Sequence, residues 1–92
     1  MSIGFEGVIS VLANSNPRDC ARMVAYARQG EFVAAQQIHL KLSELCTALF
    51  EEGNPAGVKA ALHASGIIRC NTLRLPLTPV SDSLYKKIQN LL

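Results

Sequence analysis

The stretch Gly7-Val8-Ile9-Ser10-Val11-Leu12-Ala13-Asn14 sets the terms for any fold this chain can adopt. A glycine opens it, aliphatic side chains run through it broken only by Ser10, and an Asn-Ser-Asn-Pro turn follows. That pattern predicts a strand apolar on both faces, which belongs inside a layered sheet and not at a wet edge. Burying each of its large aliphatic side chains is worth roughly 1.5 to 3 kcal/mol. No second stretch of similar quality stands in the remaining residues to pair with its backbone. The expectation is a strand whose neighbours lie outside this sequence, and hence a chain that is a piece of something larger.

Size and charge narrow the classes of function. A chain of 92 residues makes one small domain, and a domain of that size hides only roughly two thirds of the surface its unfolded form exposes. The formal charge of +2 is spread along the chain without a dense basic cluster, so there is no electrostatic footprint for nucleic acid or an anionic membrane. Cys20, Cys46 and Cys70 are odd in number and widely separated. That spacing argues against a disulfide framework or a zinc site and for a reducing compartment, the cytoplasm by default. No signal-peptide pattern opens the sequence, and no apolar run approaches the roughly 20 residues that span a bilayer.

Taken in order, the chain reads as mainly α. Gly4 suits the left-handed residue that ends a helix, so Met1 to Glu6 is expected to be a helix tail. After the strand, Asn16 is expected to cap a helix from Pro17 to Gln29, with Pro17 at the first position, where no amide donor is needed, and Gly30 as the stop. Its inward side is Cys20, Met23, Val24 and Ala27, with Arg18, Arg22 and Arg28 outward. The longest helix is expected over Glu31 to Glu51, where Ala35, Ile38, Leu42, Leu45 and Leu49 repeat at steps of three and four. Gly53-Asn54-Pro55 repeats the stop-and-cap solution and launches a short helix through Ser65 that buries Val58, Ala61 and Leu62. Two prolines in Leu73-Arg74-Leu75-Pro76-Leu77-Thr78-Pro79 forbid helix and central strand, so an extended segment follows. Ser81 then caps a last helix with Leu84, Tyr85, Ile88 and Leu91 on one face.

Three of these stretches together carry a resemblance. Gly7-Val8-Ile9-Ser10-Val11, Gly53-Asn54-Pro55 followed by Val58-Lys59, and Leu73-Arg74-Leu75-Pro76-Leu77-Thr78-Pro79 resemble, at matching spacing, the C-terminal third of the dihydrodipicolinate synthase family. One departure is Gly53, where the family often has proline. The resemblance implies a fragment of a (β/α)8 TIM barrel: residues 1–30 as its last strand and helix, residues 31–92 as an appended helical extension. It implies a lyase reaction in lysine and diaminopimelate biosynthesis, in which pyruvate forms a Schiff base with a barrel lysine and attacks aspartate semialdehyde. That lysine, its tyrosine relay and the arginine for the second substrate lie on earlier strands of the family, so no catalytic residue is assigned here and the isolated chain is expected to be silent. What carries over is Ile9, whose counterpart lines the pyruvate pocket. No cofactor or metal is implied, and the partners are pyruvate and either further copies, commonly four, or the missing barrel portion. Alternatives are a related pyruvate-dependent aldolase (N-acetylneuraminate lyase or ketodeoxygluconate aldolase) and a non-catalytic helical association module.

The other chemically suggestive residues have plainer readings. From the residues alone Ile9 is strand core. Lys59 is flanked by Val58 and Ala60, but its helical setting favours a solvated or carbonyl-bonded ammonium over a Schiff-base amine. His39 and His63 lack ligands at metal spacing. Ser10 has no G-x-S-x-G elbow around it. Arg74 is expected to pair with Glu51 or Glu52 or to cap carbonyls, and Tyr26 and Tyr85 to pack with a wet hydroxyl.

Overall fold

The computed structural model describes residues 1–92 and is helical throughout, with no strand. Five helices follow in order: α1 (Leu12–Ser15), α2 (Pro17–Arg28), α3 (Phe32–Phe50), α4 (Ala56–Ala64) and α5 (Asp82–Leu91). The chain divides into two compact units, Met1–Ser43 and Glu44–Leu92.

The expected strand is not formed, and the reason is pairing. A strand exists only by exchanging backbone hydrogen bonds with a neighbour, and the peptide groups of Phe5 to Ile9 exchange none. Gly7 to Ser10 stay irregular. Val11 takes helical dihedrals and Leu12–Ser15 closes into the single turn of α1. Local hydrogen bonds favour that turn: Ser10 Oγ accepts from the Ala13 amide at 3.2 Å, and Asn14 Nδ2 donates to the Val11 carbonyl at 3.1 Å. Met1 to Gly4 is likewise a turn and not a helix tail, although Gly4 does adopt a left-handed φ of 96°.

In the first unit, α2 runs as its pattern dictates, with Pro17 at its first position. Asn16 does not cap it, because its Oδ1 is taken by the Ser15 hydroxyl at 2.8 Å. At the other end Gly30, with φ of 80°, donates to Ala27 and Glu31 reaches back to the Tyr26 carbonyl at 2.9 Å. These two bonds form a Schellman closure that satisfies the last carbonyls of the helix. Leu12, Cys20, Ala35, Ile38 and Leu42 are buried. Met23, Val24 and Ala27, expected inside, are only half-buried. Asp19 draws Arg22 and Lys41 to 3.7 and 3.9 Å, surface pairs of small energetic weight.

The second unit has the tighter core. Leu45, Leu49 and Ile88 are its largest fully buried side chains, with Ala48, Ala60 and Ala61 sealed beside them. Alanine and glycine on α4 allow close approach: a Cβ at Gly57 would stand 2.6 Å from the Leu49 carbonyl carbon and 2.8 Å from its Cα. Asn54 does not cap α4, since the helix opens a residue later than its sequence suggests and Asn54 lies too far upstream. The Gly53 carbonyl accepts from the Gly57 amide instead, at 3.3 Å. Ser81 caps α5 as expected, accepting from the Leu84 amide at 3.3 Å. Glu52 adds a second clasp there, its carboxylate accepting from Ser81 N at 2.8 Å and Ser81 Oγ at 2.5 Å. Those two bonds hold the Glu52 carboxyl below its ordinary pKa, the hydroxyl contributing most.

Candidate functional site

Ile9, the one site residue expected from sequence, lies in the unpaired stretch of the first unit, and its side chain is wholly in solvent, with a relative exposure of 104%. Side chains alternate there without a strand. Val8 and Ser10 turn toward α2 and line a groove of about 480 Å³ with Ala13, Cys20 and Val24, while Ile9 lines no part of it. A smaller groove of about 290 Å³ continues along Phe5, Gly7, Val8 and Ala27. This explains the half-buried face of α2: Met23, Val24 and Ala27 are the walls of open grooves. Phe5 and Val8 are also more exposed than covered, at 66% and 65%. Such a continuous apolar surface is characteristic of an interaction face.

The second unit gathers the remaining candidates into structural contacts. Lys59 Nζ donates to the Thr72 carbonyl at 2.6 Å, which is the carbonyl-bonded role expected of it. Nearby, the exposed Cys70 thiol is held below its usual pKa by the Thr72 amide and then the Thr72 hydroxyl, with Lys59 adding a smaller electrostatic push. His63 Nδ1 and the Tyr85 hydroxyl are hydrogen-bonded at 2.8 Å, with the rings 5.8 Å apart and tilted by 58°. The Tyr85 hydroxyl is therefore engaged by protein and not left to water. Sequence reading missed this contact because the residues stand 22 positions apart on different helices and no local pattern links them. Arg74 pairs with neither of its expected carboxylates: Glu51 takes Lys87 at 3.2 Å and Glu52 takes Ser81. No three His, Cys, Asp or Glu side chains converge at metal-holding distance. No helix is long and apolar enough to cross a membrane.

The geometry therefore offers an apolar surface in the first unit and hydrogen-bonded clasps in the second. Comparison with known proteins places that surface in context. The chain is 47% identical over 92 residues to 4-hydroxy-tetrahydrodipicolinate synthase of Phocaeicola vulgatus, covering all of this chain and 31% of that protein. The enzyme of the same name from Parabacteroides distasonis is 46% identical over 92 residues with the same coverage, and one from Escherichia coli is 46% identical over 83 residues, covering 90% of this chain and 28% of that protein. A crystal structure of dihydrodipicolinate synthase superposes with a TM-score of 0.90 at 43% identity, covering 98% of this chain and 31% of that one. The chain thus spans about a third of the length of the curated relatives it matches. The dihydrodipicolinate synthetase family model matches residues 1–92 from end to end, and the chain belongs to that family.

Proposed function

We propose that this chain is the C-terminal part of a 4-hydroxy-tetrahydrodipicolinate synthase, a cytoplasmic lyase that condenses pyruvate with aspartate semialdehyde through a lysine Schiff base in lysine and diaminopimelate biosynthesis. In this reading residues 1–30 are the last strand and helix of a (β/α)8 barrel, residues 31–92 are its helical extension, and the complete enzyme works as a homotetramer. The observation that carries it is the end-to-end match, with 46–47% identity to synthases over all 92 residues.

The chain's own residues are given supporting parts. Ile9, free of any internal contact, lines the pyruvate pocket once the neighbouring strands are present. Three of the four lysines are engaged as donors: Lys41 faces Asp19, Lys59 is bonded to the Thr72 carbonyl and Lys87 faces Glu51. An ammonium engaged as a donor is not a nucleophilic amine. The reaction therefore belongs to the whole protein, and this part shapes and closes its site.

The test is a chimera in which this sequence replaces the 92 matching residues of the Phocaeicola vulgatus enzyme. Condensation activity is expected within about tenfold of the parent. Ile9→Ala in the chimera should raise KM for pyruvate by about tenfold with a smaller change in kcat, the cost of one lost apolar contact. A well-folded but inactive chimera would overturn the assignment.

A further inference from the structure

We draw no further inference here: the strongest candidate, the exposed Cys70 thiol beside Thr72 and Lys59 on the segment joining α4 and α5, is a lone cysteine with nothing in the structure that points to a ligand or reactant for it.

Discussion

Glu52 shows how much a single exposed side chain can organise. It accepts both the amide and the hydroxyl of Ser81, so the residue that caps α5 is itself held from the end of α3. The sequence advertised half of this. Ser81 ahead of an amphipathic run is a recognisable cap, but nothing local connects it to a carboxylate 29 residues earlier. Because the folded-state pKa of Glu52 lies below its ordinary 4.5, its contribution to stability is present above that value and is lost as pH falls through the lowered one. Glu52→Gln should therefore lower Tm at pH 7, and the gap between variant and parent should close on acidification into that range. Thermal melts of the two proteins across pH 2 to 7 provide the check, and a gap independent of pH would contradict the role given to the carboxylate.

Helix ends and helix faces were legible because they are set by neighbours in sequence. Gly30 and Gly66 stop α2 and α4 with left-handed φ values of 80° and 75°, and the buried stripe of α3 is the one its spacing specifies. Caps that depended on an asparagine failed at both places, one because Ser15 occupied the side chain and one because α4 begins later. The close approach of α3 and α4 was not legible at all. Gly57 reads as a helix-weakening residue, and an alanine there would gain about 1 kcal/mol in intrinsic propensity. The structure reverses that sign, because the new methyl would collide with the backbone of Leu49, which cannot rotate away. Gly57→Ala is expected to destabilise the fold by roughly 3 kcal/mol. Urea denaturation should show a lower midpoint with an unchanged slope, and an equal or higher midpoint would mean that the two helices separate at little cost.

For the molecule as a whole, the decisive property is an apolar surface without an internal partner. Ile9, Val8 and Phe5 stand in solvent beside the grooves of α2, while the second unit buries Leu45, Leu49 and Ile88 completely. Stability and chemistry are thus separated: the part rich in buried contacts holds structural clasps, and the part proposed to meet substrate is unfinished. The isolated chain is expected to be catalytically silent. Borohydride treatment in the presence of pyruvate should leave its mass unchanged, whereas the chimera should gain the mass of the reduced pyruvyl adduct. A trapped adduct on the isolated 92-residue chain would show that one of its own lysines can act as the amine.

The sequence by itself determined helices α2 to α5, the glycine stops of α2 and α4 and the buried stripe of α3, because hydrogen bonds within four residues and side-chain periodicity are written locally. It also carried the family resemblance, in motifs spread from Gly7 to Pro79. Tertiary structure alone decided the contacts between distant residues, Lys59 with Thr72, His63 with Tyr85, and Glu52 with Ser81. It decided too that Gly7 to Ser10 stay irregular, outside any backbone ladder. A strand, unlike a helix, completes its hydrogen bonds only with residues remote in sequence, and these 92 residues supply none.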